Sequence, residues 1–305
     1  MKEKYFIIAG TNKAGSTSLF EWIAAHPSIC PSFIKQTFFF LDKNWQQSFK
    51  LHSLYDYKNG FHQFDNFFRD HQPGQHKIEA SPEYMYAPAT PKRIYDFLNN
   101  KEGEVIFILR NPAARFISLY YFGIQQGVID PAWSFSEFIQ ACENYHANNN
   151  TSLKALETGF YSKYLKKYKE VFGKNKLRIY FFEDLINNPL SFMKRVAKDL
   201  GIDDSFYNDY EFRAYNQTKI AVKNRAIAGL YRTTRNLFIQ SSYKTKTGYL
   251  LASILKKGII PIYRKLNTAQ LKKQPISNKD KEYVEQIYQD EKLKIEKMFG
   301  IQVPW

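Results

Sequence analysis

A chain of 305 residues is long enough to bury a full core, and 44% hydrophobic residues with 24% charged ones, among them 22 Tyr and 26 Phe, argue against disorder. Two cysteines, Cys30 and Cys142, far apart and without CxxC spacing, argue against a disulfide scaffold or a zinc site. The net charge of +15 is unevenly placed: Arg213 to Lys273 holds 14 Lys/Arg and no Asp or Glu. An anionic partner for that stretch is one expectation.

The first ten residues hold an apolar run too short for a signal peptide, and nowhere do eighteen apolar residues run together, so a soluble, cytoplasmic protein is expected. Tyr5 to Ile8 reads as a strand, residues 10–15 as a tight loop, and Ser16-Thr17-Ser18 as a helix start whose hydroxyls cap free amides. A second strand is expected around Lys77-Ile78-Glu79 and a helix from Pro91 to Leu98. Val105 to Leu109 is continuously apolar, as in a central parallel strand buried on both faces, with Arg110 at its end and Pro112 opening the next helix.

Ser134 with Glu137 forms a capping-box pattern, Tyr161 to Phe172 is amphipathic, Leu177 to Phe181 reads as a strand and Pro189 to Leu200 as a helix. From 217 to 277, Gly258 and Pro261 interrupt a helical pattern, which predicts short helices and loops. One last helix is expected from Lys279 to Phe299. Alternating strands and helices predict an α/β fold with a central parallel sheet flanked by helices, as one domain with elaborations.

The loop Gly10-x-x-x-x-Gly15-Ser16-Thr17 has P-loop glycine spacing, but Ser16 stands where a P-loop places its lysine; the lysine is Lys13. The strand ending at Leu109 leads to Arg110, which would repel a metal, instead of an acidic metal partner. A nucleotide with two separate phosphate groups suits this pattern. Lys13 and the amides of Gly15 to Ser18 hold one group at the helix N-terminus, and Arg110 with Ser118 holds the other.

The segment 10–19 followed by Ala25-His26-Pro27 resembles the 5′-phosphosulfate loop of sulfotransferases that use 3′-phosphoadenosine-5′-phosphosulfate (PAPS). Residues 109–112 through Arg115 and Ser118 resemble their 3′-phosphate motif. Further likeness to the carbohydrate branch lies in 39–45, 79–84, 157–161 and 183–185. The resemblance covers roughly 5–202 and the final helix. It implies a sulfotransferase domain over 1–305, with a P-loop-like PAPS-binding core at 1–212, a basic helical or loop cap at 213–277 and a C-terminal helix at 278–305 returning to the core. It further implies in-line sulfuryl transfer from PAPS to a hydroxyl of a carbohydrate or glycoconjugate, with no metal. Lys13 would stabilise the leaving phosphate, and Ala14, Gly15, Ser16, Thr17, Ser18, Arg110, Ser118, Tyr161, Asn216 and Arg225 would contact the nucleotide.

The chain departs from that branch where the acceptor proton is removed. Relatives commonly carry a Glu base two to four residues before a Phe-Phe pair, whereas this chain has Gln36 before Phe38-Phe39-Phe40; many also carry a basic residue where this chain has Ala80. Three accounts stand open. Glu83, Glu79 or Asp42 serves as base, with Glu83 put forward; Gln36 orients an acceptor deprotonated by a histidine such as His26 or His62; or the chain binds PAPS with weak or no turnover.

For the basic segment, three readings compete: a funnel for PAPS and acidic glycans, an interfacial helix near 249–266 at an anionic membrane carrying a glycolipid acceptor, and a solvated lysine-rich cap. A P-loop kinase would require ATP and Mg²⁺. A nucleic-acid-binding module would leave Lys13 and Arg110 unexplained, and no nucleic-acid partner is expected.

Overall fold

The computed structural model describes residues 2–48, 53–99, 101–126, 128–130, 132–145, 151–213, 220–222, 268–270 and 275–305. Contacts divide the chain into two compact units: Met1–Arg115 with Thr158–Asn216 and Val284–Trp305, and Phe116–Glu157 with Gln217–Tyr283.

The first unit is built on five parallel strands: β1 (Lys4–Gly10), β2 (Ile29–Pro31), β3 (His76–Ala80), β4 (Glu102–Leu109) and β5 (Leu177–Phe181), in the spatial order β2-β3-β1-β4-β5. Successive side chains of a strand face opposite ways, and both faces of β1 and β4 are apolar, so the sheet needs two covers. Ile7, Ala9, Val105, Phe107 and Leu109 pack with the helices α3 (Thr90–Leu98), α6 (Tyr161–Phe172) and α10 (Glu291–Phe299). Phe6, Ile8, Ile106 and Ile108 pack on α1 (Ser16–Ala24) and α8 (Pro189–Leu200). Each of the larger of these side chains, fully withdrawn from water, contributes about 1.5–3 kcal/mol, which is why the continuous apolar run must sit at the centre.

The second unit takes in the later part of α4 (Pro112–Gln126) and α5 (Phe135–Glu143), whose Ser134–Glu137 capping box is formed as the spacing predicts. Phe116, Tyr120, Phe135 and Phe138 form its aromatic core, and an antiparallel pair, β6 (Ile220–Val222) with β7 (Thr268–Gln270), belongs to it. The expected short helices around Gly258 and Pro261 lie outside the described residues.

The single last helix read from the sequence is two, α9 (Asn278–Ile287) and α10. The break at 288–290 has a packing cause. Buried Tyr288 sets its ring 5.1 Å from that of Phe160, against Gly159, where a Cβ would lie 2.5 Å from the phenol. Glu291, also buried, accepts hydrogen bonds from the Ser162 amide (2.9 Å) and hydroxyl (2.8 Å) at the start of α6. Apolar periodicity runs through such a break, so only the contacts disclose it.

Candidate anion and transfer site

β1 lies between β3 and β4, and its carboxyl end is where open parallel sheets bind ligands. The chain leaves it through a loop held by the Thr11 amide on Ile108 O (2.9 Å). Gly15 has φ 84°, and a Cβ there would lie 2.9 Å from the ring of Phe182, the first residue of α7 (Phe182–Asn187), so both backbone and space demand glycine. Gly15 is itself the N-cap of α1 and supplies no side-chain cap. This corrects the expectation that Ser16, Thr17 and Ser18 cap the helix: they occupy its first turn, past the N-cap.

Lys13, at φ 60°, and Arg110 are brought together: the Arg110 guanidinium donates to Lys13 O (3.3 Å) and stacks 4.6 Å over the Phe182 ring. Burial, aided by the charge of Arg110, pushes the Lys13 ammonium down to about 8. The fully buried Tyr161 donates its hydroxyl to Arg110 O (2.9 Å), so it fixes the arginine's backbone. Asn111 donates its amide to Glu183 Oε1 (2.9 Å) and caps α4 by accepting from the Ala114 amide (2.9 Å). Ser118, half-buried on α4, belongs to the second unit, and Asn216 and Arg225 lie outside the described residues.

Behind the loop lies Arg115, fully buried and, among the described residues, without a carboxylate partner within 4 Å. It donates to Asn12 O (2.9 Å), Asn12 Oδ1 (2.6 Å), the Tyr86 hydroxyl (2.8 Å) and Thr158 Oγ1 (3.2 Å). The sequence reading placed Arg115 only as part of a motif; that it anchors the residue before Lys13 is a long-range fact.

The acidic candidates separate by their partners. Asp42 accepts from the Trp45 amide (2.7 Å) and so caps the short helix α2 (Lys43–Ser48). Glu79, buried, accepts at Oε1 from the Thr37 amide (3.1 Å), the Thr37 hydroxyl (3.0 Å) and the Ser81 hydroxyl, tying the 36–40 loop to β3; burial raises it to about 7. Glu83 follows β3 in a single turn; its buried Oε2 has no hydrogen-bond partner, as is also true of Glu79 Oε2, but no hydrogen bond to another described residue holds the Glu83 side chain. Burial pushes its carboxyl up, against the fields of Lys35 and Arg115.

Of the two histidine candidates, His26 has both ring nitrogens engaged. Buried His26 accepts from the Ser28 amide at Nδ1 (3.1 Å), which leaves Nε2 to donate to Asp203 O (3.0 Å). His62 is exposed on the turn Phe61–Phe67. Gln36, at φ 67°, is exposed, with its amide on Ala80 O (2.9 Å). Its neighbour Lys35, which the sequence did not single out, donates to Thr17 Oγ1 (2.7 Å) in the first turn of α1.

A parallel sheet whose central strand leads to a helix without a side-chain N-cap, beside a half-buried lysine and arginine, defines an α/β domain with two cations gathered at one loop. The chain belongs to the sulfotransferase domain family, whose model matches residues 3–250. It is 28% identical over 219 residues to heparan sulfate glucosamine 3-O-sulfotransferase 5 of Mus musculus, covering 67% of this chain and 56% of that protein. It is 25% identical over 203 residues to the bifunctional heparan sulfate N-deacetylase/N-sulfotransferase 2 of Homo sapiens, covering 65% and 22%. The chain thus spans about half or less of the length of these relatives. Among solved structures, a sulfotransferase from Alicyclobacillus acidocaldarius shares the fold, with a TM-score of 0.57 and 21% identity over 76% of this chain and 91% of that one.

Proposed function

We propose that the chain transfers the sulfuryl group of PAPS to a hydroxyl of a carbohydrate or glycoconjugate. The observation that carries this reading is the half-buried Lys13–Arg110 pair at the start of α1, which has no side-chain cap: two cations and a helix dipole converge on one loop. Such a donor set fits a ligand with two anionic groups. The names of the curated relatives, which act on glucosamine in heparan sulfate, support a sugar acceptor.

PAPS supplies the activated sulfuryl group. The protein's part is positioning and electrostatics. Lys13 and the amides of 15–18 bind the 5′-phosphate end, with Lys13 offsetting charge on the leaving oxygen; Arg110 takes the 3′-phosphate. Glu83 receives the acceptor's proton at Oε2, since Glu79 and Asp42 are committed to holding backbone and hydroxyl groups. Burial raises its carboxyl, so it holds the acceptor's proton better than an exposed glutamate would. The basic segment 213–273 draws in the donor and an acidic glycan or anionic membrane surface.

A PAPS-binding relative without turnover is the second reading, favoured by exposed Gln36 at the position where relatives carry a glutamate. Among the described residues, no group of three or more His, Cys, Asp or Glu is placed to hold a metal ion. Calorimetric titration with adenosine 3′,5′-bisphosphate, with and without chelator, tests the donor site. Metal-independent binding that is weakened in both Lys13→Ala and Arg110→Ala variants is expected. Absence of binding, or binding of ATP with Mg²⁺ instead, would overturn the proposal.

A further inference from the structure

The loop after β2 carries a third cation to the anion site, from the side opposite Arg110. In the sheet, β1 has β4 on one side and β3 on the other. Arg110 leaves the end of β4. Lys35 is anchored at the end of β3: the Ser32 amide donates to Ile78 O (2.9 Å), the Gln36 amide to Ala80 O (2.9 Å) and the Thr37 amide to Glu79 Oε1 (3.1 Å). Left-handed φ values at Gln36 (67°) and Phe38 (53°) kink this loop, so that Gln36 is exposed while Lys35 is half-buried and reaches Thr17.

The contact has a direction. An ammonium only donates, so Thr17 Oγ1 accepts from Lys35 and the threonine's own proton must serve another acceptor. Three carboxylates, Glu83, Glu21 and Glu79, act on Lys35 through their fields, yet none lies within 4 Å of its nitrogen among the described residues. A lysine meant only to neutralise them would close on one. Instead its hydrogen bond goes to the first turn of the helix whose amide end is uncapped.

We infer that Lys35 is a further catalytic residue, which holds the sulfuryl oxygens at the β3 side of the loop while Lys13 and Arg110 hold the phosphates. This rests on the donor reading above. The S–O bond to phosphate breaks, the S–O bond to the acceptor oxygen forms, the acceptor's proton passes to Glu83, and Lys35 keeps its own protons throughout. Burial lowers the affinity of Lys35 for its proton, which agrees with a site kept dry for transfer.

The test uses the difference between two ligands that differ only by the sulfuryl group: PAPS and adenosine 3′,5′-bisphosphate, titrated calorimetrically into the full chain without acceptor. In Lys35→Gln, PAPS affinity is expected to fall roughly 10- to 100-fold, the loss of one charge-assisted hydrogen bond, while bisphosphate affinity changes little. Lys35→Arg, which keeps the charge, is expected to restore most of the preference for PAPS. Equal loss for both ligands, or for neither, would overturn the assignment and leave Lys35 a structural cation. Should the unsubstituted protein bind neither ligand, the donor reading itself fails, a result distinct from the Lys35 outcome. Should Lys35→Gln fail to fold, Thr17→Val carries the same comparison, since it removes the acceptor that holds Lys35 in place; an unchanged ratio there would also overturn it.

Discussion

Arg115 grips Asn12 twice, through its backbone oxygen at 2.9 Å and its side-chain oxygen at 2.6 Å, and thereby fixes the residue next to Lys13. Its Nε and Nη2 donate to Asn12, Tyr86 and Thr158, which offsets much of the cost of burying the guanidinium, while the buried Nη1 has no hydrogen-bond partner. Arg115→Met keeps the volume but leaves buried acceptors unsatisfied at about 1–3 kcal/mol each, so a loss of about 2–4 kcal/mol in unfolding free energy is expected. Denaturant titration measures it. Adenosine 3′,5′-bisphosphate should bind about tenfold more weakly to the folded variant, and Arg115→Lys should not recover this, because one ammonium cannot span both oxygens of Asn12.

Lys13 gives a pH signature. Its ammonium, lowered to about 8, is charged below that pH and increasingly neutral above it, and only the charged form attracts phosphate. Affinity for adenosine 3′,5′-bisphosphate should therefore be steady below about pH 8 and decline above it, with proton uptake on binding near pH 8. Titration in buffers of different ionisation enthalpy reads the uptake directly. Lys13→Arg, charged throughout, should bind without that decline.

Glu83 and Gln36 are separated by turnover. Glu83→Gln should lower sulfuryl transfer from PAPS to glucosamine-containing oligosaccharides by about 10²–10⁴-fold, the usual worth of a positioned base, and leave bisphosphate affinity in place. Gln36→Ala should leave transfer essentially unchanged, as its exposed position predicts. Equal rates for Glu83→Gln and the unsubstituted chain would remove Glu83 from the mechanism.

Glu79 couples stability to pH. Its carboxyl is raised to about 7 in the folded protein and titrates near 4.5 when unfolded. Stability from this group is thus fully present below pH 4.5 and is lost as pH rises towards 7, because the folded state alone keeps the proton in that window. Denaturation curves at pH 5 and pH 7.5 should differ by about 2–3 kcal/mol more in the unsubstituted chain than in Glu79→Gln.

Gly15→Ala tests the loop's backbone. At φ 84°, with a Cβ 2.9 Å from Phe182, alanine is strained in conformation and in space, so the variant should lose about 1–3 kcal/mol of stability and most of its bisphosphate affinity, measured by melting and by titration.

Elements whose cause is local were legible in the chain. The apolar run Val105–Leu109, the amphipathic Tyr161–Phe172, the Ser134–Glu137 box and the glycine spacing around Lys13 each carry their physics within a few residues, and together they determined a parallel α/β sheet with an anion loop. What depends on residues far apart was decided by the tertiary structure alone. The break between α9 and α10 comes from Tyr288 packing on Gly159 and Phe160, and the grip on Asn12 comes from Arg115, 103 positions away. Lys35 and Thr17 are 18 residues apart, and the packing of α1 on β2 and β3 sets their segments side by side. The same holds for the choice among carboxylates: Asp42, Glu79 and Glu83 are alike in sequence, and only their neighbours show that Asp42 caps a helix, that three donors hold Glu79 through Oε1, and that no hydrogen bond to another described residue holds the Glu83 side chain, although Glu79 and Glu83 each keep a buried Oε2 without a partner.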